Sequence, residues 1–336
     1  MVYLTACLSI IVLLIPVSTL ADHASVNFET GTAGAIMTTP GTTMPQGKMV
    51  AGANVQVIEF NALSDARLEQ LGAAGQDVHS TDSLIRLSFN FAYGLNDDLT
   101  LGMNIPYIER HNIRAAAFDN GMGEVEIAGD AQGMGDASFF GKYRIFHTTT
   151  TDAAVLAGIR APTGSTSEIE NGGELFEVDH QPGWGSWAPF LNLSFNHSWG
   201  TTGISANILY TFETEGAQNS DQGEVLNYNI ALSRRIFPAP EHHHHDHDED
   251  EHMDSLFEYV DLILELNGDL RDKLSAGGIK NFNHGGHLLY LSPGIKLGLG
   301  HHWTLYTSAG IPVFNGLYGI QSEPDYRIIS GLGYVF

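Results

Sequence analysis

Residues 85–95 alternate strictly between apolar side chains and small or polar ones. The odd positions carry Ile85, Leu87, Phe89, Phe91, Tyr93 and Leu95, and Arg86, Ser88, Asn90, Ala92 and Gly94 stand between them. Successive side chains of a β-strand point to opposite faces, so this pattern predicts a strand with one apolar face. The same alternation resumes after Asn96-Asp97-Asp98 and runs from Leu99 to Tyr107, which predicts a β-hairpin.

The same criterion predicts twelve strands along the chain. They are expected at residues 49–63, 83–95, 99–110, 136–147, 152–163, 186–199, 202–214, 224–237, 255–268, 287–299, 302–314 and 325–336. An even number of strands, each of about ten residues or slightly more, is typical of a transmembrane β-barrel. Short linkers such as 200–201 alternate with long ones such as 111–135, as periplasmic turns alternate with extracellular loops. The linker 238–254 breaks this alternation.

Composition excludes a helical membrane protein, because 16% of the residues are charged and no second long apolar run follows the N-terminal one. We therefore predict an all-β chain, a transmembrane antiparallel β-barrel of about twelve strands that spans residues 48–336. A soluble β-protein has a similar composition, so the pattern of alternation decides between the two classes.

The N-terminus predicts a cleaved signal peptide. The apolar run from Leu8 to Val17 is too short to cross about 30 Å of hydrocarbon as a helix. Small residues follow at Thr19 and Ala21, although the usual basic region before the run is missing. We assign residues 1–21 to the signal peptide and expect residues 22–47 to form a periplasmic segment or a plug in the lumen.

The last predicted strand ends on Phe336. Tyr326, Ile328, Leu332, Tyr334 and Phe336 share one face of that strand. A terminal aromatic residue on an amphipathic strand resembles the assembly signal of outer-membrane barrels. We therefore expect the bacterial outer membrane as the location, and its lipid and its assembly machinery as partners, the latter through Phe336.

Several short motifs resemble a known family. They are residues 29–34 (ETGTAG), 79–82 (HSTD), 93–102 (YGLNDDLTLG), 133–136 (GMGD), 142–144 (KYR), 162–164 (PTG) and 181–187 (QPGWGSW). They resemble bacterial outer-membrane proteins that are usually described as transporters and are similar to the channel family associated with phenol meta-cleavage pathways. The resemblance runs from about residue 29 to the C-terminus. It implies a barrel and a channel or transporter function, and leaves the solute open.

If the apolar face meets lipid, the opposite face lines the lumen. The predicted lumen-lining residues are the bases Arg86, Arg110, Lys142, Arg144, Arg160, Arg235, Lys296 and Arg327 and the acids Asp261 and Glu265. The formal net charge is −24, so the acidity belongs mainly to the loops. A basic wall attracts anionic solutes such as carboxylates or phosphates, or it pairs with acidic loops that fold inward. The sequence leaves both explanations open.

The linker between the eighth and ninth predicted strands, at 240–254, is rich in histidine and carboxylates. Its predicted metal ligands are His242, His243, His244, His245, Asp246, His247, Asp248 and His252. Imidazole nitrogen and carboxylate oxygen together bind Zn, Ni, Co or Cu(II). Strand counting places this loop on the periplasmic side. The alternative is a solvated low-complexity insertion that binds metal loosely, and no cofactor is required by the barrel itself.

Two functional classes follow from these features. One is a channel or transporter for small solutes, anionic or aromatic, and the other is a barrel that anchors a periplasmic metal-binding segment with little or no transport. We predict no enzymatic activity, because His197 and Ser198 are adjacent on a strand and point to opposite faces. The acidic exterior argues against nucleic acid as a partner. The oligomeric state is left open.

Overall fold

The computed structural model describes residues 35–119, 121–237, 257–300 and 302–336. Its strands are β1 (Met49–Asn61), β2 (His79–Ser80), β3 (Ser83–Asn96), β4 (Leu99–Asp119), β5 (Met122–Met134), β6 (Ser138–His147), β7 (Thr151–Arg160), β8 (Ala188–Trp199), β9 (Thr202–Thr211), β10 (Ser220–Asp221), β11 (Val225–Phe237), β12 (Phe257–Arg271), β13 (Ser275–Ala276), β14 (Ile279–Lys280), β15 (Gly286–Leu299), β16 (Trp303–Leu317) and β17 (Glu323–Val335). Helix α1 is Asp65–Ala73, and a 3-10 turn covers Ala217–Asn219. The predicted signal peptide lies outside the described residues.

Among the described residues, twelve antiparallel strands close into a barrel, with β5 and β6 forming one interrupted strand. Each barrel strand pairs with the next one along the chain, and β1 closes the ring by pairing with β17. That closing register runs from Val50 opposite Val335 to Asn61 opposite Glu323. An observed strand lies at each of the twelve predicted positions, so the predicted barrel is confirmed.

The two faces of the strands lie as the alternation predicts. On β3, Arg86 is 6% exposed and Ser88 is fully buried, whereas Phe89 is 43% exposed. The exposed side chains of the other barrel strands are also largely apolar, including Leu101, Leu193, Ile230 and Leu264. The outer surface is therefore the apolar surface and the polar face is enclosed. No helix in the described ranges is long and apolar enough to cross a membrane.

The connections separate the two ends of the barrel. One end, called the turn end, carries the short turns 97–98, 148–150 and 200–201. The opposite end, called the loop end, carries the long connections 62–82 and 161–187, among others. Short periplasmic turns and longer extracellular loops are the rule in outer-membrane barrels.

The loop end holds a layer of secondary structure where the sequence predicted linkers. The stretch 111–135 is mostly strand, because β4 continues to Asp119 and pairs there with β5. Lower on the same strand, β4 pairs instead with β6. Helix α1 begins after the cap Ser64 and buries Leu68 and Leu71 beside that hairpin. Packing on a second element, which strand periodicity does not report, explains why both were missed.

Glycines opposite aromatic residues fix the packing of the inner wall. Gly102 pairs with Phe140, and Gly158 pairs with Phe190, on adjacent strands. A Cβ on Gly158 would lie 2.3 Å from the Phe190 ring and 2.5 Å from the Phe139 carbonyl oxygen. Each ring therefore lies flat over a glycine, which no other residue would permit without displacement.

This packing predicts a specific cost for Gly158→Ala. Because both a ring and a backbone carbonyl crowd the added methyl group, we expect the free energy of unfolding to fall by about 1–3 kcal/mol. Urea titration of detergent-refolded protein, followed by tryptophan fluorescence, measures it. The matched control is Gly141→Ala, whose Cβ would meet Leu101 at an ordinary 3.7 Å. Equal losses in the two variants would contradict the close packing.

Candidate functional site

An apolar patch lies inside the barrel at mid-height. Ile108, Phe140, Leu156, Phe190 and Leu209 all occupy inward positions on their strands and line one cavity. This lower cavity has a volume of about 1020 Å³, including space open to solvent. Aromatic and aliphatic walls with a few polar groups are typical of sites for small organic ligands.

The prediction that apolar side chains face lipid does not account for this patch. Phe139 and Phe140 are adjacent on β6, so one of the two rings must point inward. Leu191 and Phe190 form a similar pair on β8. Such consecutive apolar pairs are the signal that could have found the patch.

A second cavity of about 1070 Å³ lies above the first, under the loops. This upper cavity is lined by residues of the loop-end connections, such as Asp77, His79 and His284, and by residues of the barrel strands near the loop end. Trp184 and Arg271 line both cavities, so they stand between the upper and the lower one.

Trp184 is held over the lumen by a buried carboxylate. Asp136, at the break between β5 and β6, accepts hydrogen bonds from the backbone N–H groups of Gly164 (2.8 Å) and Trp184 (2.8 Å). Arg110 of β4 donates to two carbonyl oxygens of the same loop, those of Gln181 (3.0 Å) and His180 (3.4 Å). The loop 161–187 is therefore folded inward onto the wall.

Residues 35–46, called the lumen segment, enter the barrel from the turn end. Near that end the backbone N–H of Gln46 donates to Asp97, and the N–H of Gly41 donates to Asn196 higher on the wall. Thr39 donates from its backbone N–H to Asn207 and lines the lower cavity. The segment thus lies beneath the lower cavity.

Glu265 anchors the inner end of the lumen segment. Its carboxylate accepts hydrogen bonds from the backbone N–H groups of Ile36, Met37 and Thr38, at 2.9 to 3.1 Å. The side chains of Ile36 and Met37 pack against the inward Ile263 and Ile329. Hydrogen bonds to a buried charge are among the stronger ones in proteins, which makes Glu265 the main polar attachment of this segment.

The ten residues predicted to line the lumen all lie on the enclosed face. Arg86, Arg110, Lys142, Arg160, Asp261, Glu265, Lys296 and Arg327 are buried, and Arg144 and Arg235 are partly buried. They occupy different heights, so they form no single cluster. Arg86 and Arg160 reach the lower cavity, and Arg110 reaches the upper one.

Several of these bases pair with acids of the protein. Arg235 forms a two-pronged ion pair with Asp261, at 2.8 and 3.0 Å. Arg160 donates to Glu213, which comes from the connection after β9, at 2.6 Å. Arg144 pairs with the turn residue Asp98 at 2.8 Å. The pairs of Arg160 and Arg144 match the explanation in which acidic connections neutralise a basic wall, whereas Asp261 belongs to the wall itself.

Titratable side chains from three loops meet at the upper cavity. His79 Nδ1 lies 3.7 Å from Glu177 Oε2, and the His79 and His180 rings are 4.9 Å apart and nearly perpendicular. Burial lowers the pKa of His180 to about 4, and burial also lowers the pKa of His284 to about 4. Burial would raise the pKa of Asp179, but the nearby histidines and Arg110 lower it to about 2.

The predicted metal ligands between His242 and His252 lie outside the described residues. Metal binding by that loop stays a prediction. The aromatic C-terminus is described: the Phe336 backbone N–H donates to the Met49 carbonyl oxygen at 2.8 Å, beside the barrel seam. Recognition of Phe336 by the assembly machinery also stays a prediction.

The sequence matches the family model described as "Putative MetA-pathway of phenol degradation" over residues 65–241. The chain belongs to this family. The resemblance inferred from the short motifs is therefore confirmed. A search of curated proteins finds no significant match.

Several solved structures are similar to this family member. An outer membrane channel from Pseudomonas putida F1 matches with a TM-score of 0.56 and 13% identity, covering 88% of this chain and 98% of that one. The β domain of the Bordetella autotransporter BrkA matches at 0.44 and 11%, covering 87% and 100%. The Pseudomonas putida toluene transporter TodX matches at 0.39 and 10%, covering 87% and 90%. At identities this low, similarity shows a shared fold and nothing more. Of the three, only the Pseudomonas putida F1 channel has a TM-score high enough to show a shared fold.

The attachment at Glu265 predicts that Glu265→Ala releases the lumen segment. Removing the carboxylate leaves the N–H groups of residues 36–38 without their acceptor, so their hydrogen exchange should accelerate at least about tenfold. Mass spectrometry of exchanged peptides in detergent measures it. The control Glu323→Ala removes an exposed carboxylate at the loop end. Unchanged protection of residues 36–38 in Glu265→Ala would contradict the anchoring role.

Proposed function

We propose that this protein is an outer-membrane channel that admits small aromatic solutes. The observation that carries the proposal is the lower cavity, where Phe140, Phe190 and Trp184 present rings to the lumen of a barrel with an apolar outer face. A barrel with a purely structural role does not require an apolar cavity at mid-height of its lumen. Membership in a family whose description names phenol degradation supports the same class of solute.

The lining of the lower cavity also suits one polar substituent on the ring. Arg86, Asn104, Asn192 and Arg160 lie on its wall beside the apolar side chains. A hydroxyl group of the solute would lie beside these polar groups while its ring contacts Phe140. The lining thus favours aromatic solutes that carry a polar substituent.

The proposed route runs from the loop end through the upper cavity to the lower one. Trp184 and Arg271 separate the two cavities, so passage requires a shift of the Trp184 ring or of the Arg271 side chain. Thr39 of the lumen segment borders the lower cavity on the side of the turn end. Release toward the periplasm therefore requires the lumen segment to move.

Removing the inward rings tests the proposal. We expect the double variant Phe140→Ala with Phe190→Ala to bind phenol or toluene at least about tenfold more weakly, because each ring contributes about 0.5–1.5 kcal/mol of aromatic contact beyond its buried area. Calorimetry on the detergent-solubilised protein measures binding. Uptake of the labelled solute by cells that express each variant measures transport.

The neighbouring ring supplies the matched control. Phe139→Ala removes the same side chain one residue away, on the lipid-facing side of β6. It should leave binding and uptake unchanged. If the Phe139 variant and the double variant lose uptake equally, or if the unmodified protein neither binds nor takes up an aromatic solute, the proposed function is wrong.

The alternative function, a barrel anchor for a metal-binding segment, rests on the sequence of residues 241–254 alone. The contacts of the lower cavity favour the channel. Planar-bilayer conductance with and without Zn²⁺, in the full chain and in a 241–254 deletion, separates the two. Conductance that Zn²⁺ does not change supports the channel. The anchor is supported if there is no conductance and if the full chain binds metal tightly but the 241–254 deletion does not.

A further inference from the structure

Three side chains at the loop end have the arrangement of a small metal site. The potential ligand atoms of His79, Glu177 and His180 all lie within 4.8 Å of one another. His79 Nδ1 and Glu177 Oε2 are 3.7 Å apart, close to the roughly 3.4 Å that separates two ligands of a tetrahedral zinc ion with bonds of about 2.0–2.1 Å. Two imidazoles and one carboxylate are a ligand set that zinc uses in proteins.

Local structure brings the three residues together from two different connections. His79 is fixed by strand β2, which pairs with β4 at Ala115. Glu177 and His180 belong to one tight turn, in which the His180 backbone N–H donates to the Glu177 carbonyl oxygen at 3.0 Å. A spacing of three residues within such a turn places both side chains on the same side.

The surroundings supply a second observation that points to a ligand. His180 Nδ1 lies 3.4 Å from Asp179 Oδ1, a buried carboxylate oxygen that accepts no hydrogen bond among the described residues. Metal-bound histidines usually have a carboxylate beside their second nitrogen. Nearby, His284 lines the same cavity, is 7% exposed, and among the described residues its Nδ1 has no hydrogen-bond partner.

We propose that His79, Glu177 and His180 bind a divalent transition-metal ion such as Zn²⁺ at the mouth of the upper cavity. The ion links the connection 62–82 to the loop 161–187. The second of these carries Trp184, so bound metal holds in place the loop that separates the two cavities. This site is at the loop end of the barrel. The histidine-rich linker 240–254 instead follows Phe237 in the sequence, where β11 reaches the turn end.

The histidine-rich linker would mask the new site in a titration. The experiment therefore uses a background in which six linker histidines are replaced: H242N, H243N, H244N, H245N, H247N and H252N. Zinc binding to this full-length protein in detergent is measured by competition with a chromophoric chelator. We expect one zinc ion per chain, and Co²⁺ at the same site should give the strong visible absorption of four-coordinate cobalt.

Variants in the same background assign the ligands. His180→Asn and Glu177→Gln should each weaken zinc binding at least about tenfold, because each removes one of three protein ligands. Glu177 is half exposed, so its replacement leaves the fold intact even if His180→Asn does not fold. The control His111→Asn removes another loop-end histidine that lies beside acids, Glu109 and Asp130, and should change nothing.

Two results would overturn the proposal. One is a background protein that binds no zinc, which would mean that His79 and Glu177 form an ion pair and that the two imidazoles merely pack. The other is zinc binding that survives both Glu177→Gln and His180→Asn unchanged. Neither result bears on solute uptake through the lower cavity, so the channel function stands or falls separately.

Discussion

The pairing of β1 with β17 is the contact on which the rest of the structure depends. In the hydrocarbon layer of a membrane no water satisfies a free backbone N–H or C=O group, and each unsatisfied group costs several kcal/mol. Closing the ring removes both sheet edges at once. Closure also fixes the parity of every strand, because a shift of one residue would turn Arg86 or Glu265 toward lipid.

Enclosing the polar face creates a second problem, since buried charges are costly unless they are paired. In this chain the buried charges have partners close by, at several heights of the barrel. Asp261 pairs with Arg235 on the neighbouring strand, Glu213 reaches Arg160 from a connection, and Glu265 accepts backbone N–H groups of the lumen segment. Acidic side chains therefore neutralise part of the basic wall. The net charge of the chain does not reveal this pairing.

The sequence predicts those parts of the structure that follow from a local pattern. Alternation locates the twelve strands and identifies which side chains are enclosed, down to Arg160 and Lys296. Extended from the inward Lys142, it also turns Phe140 inward, but it does not show that this ring lies over Gly102, because that contact depends on the partner strand. It misses α1 and the β4–β5 hairpin, which extend into water and are stabilised by contacts such as that of Leu68 with its neighbours at the loop end.

The remaining features arise from contacts between distant segments. Asp136 and Trp184 are 48 positions apart, and His79 and His180 are 101 positions apart in the sequence. A local sequence pattern therefore cannot reveal either contact. Both contacts involve the loop 161–187, which carries Trp184. The barrel wall supplies the apolar cavity, but the packing of this loop decides how the cavity meets the exterior. Because loops tolerate change better than a closed sheet does, access can vary within such a family while the wall is retained.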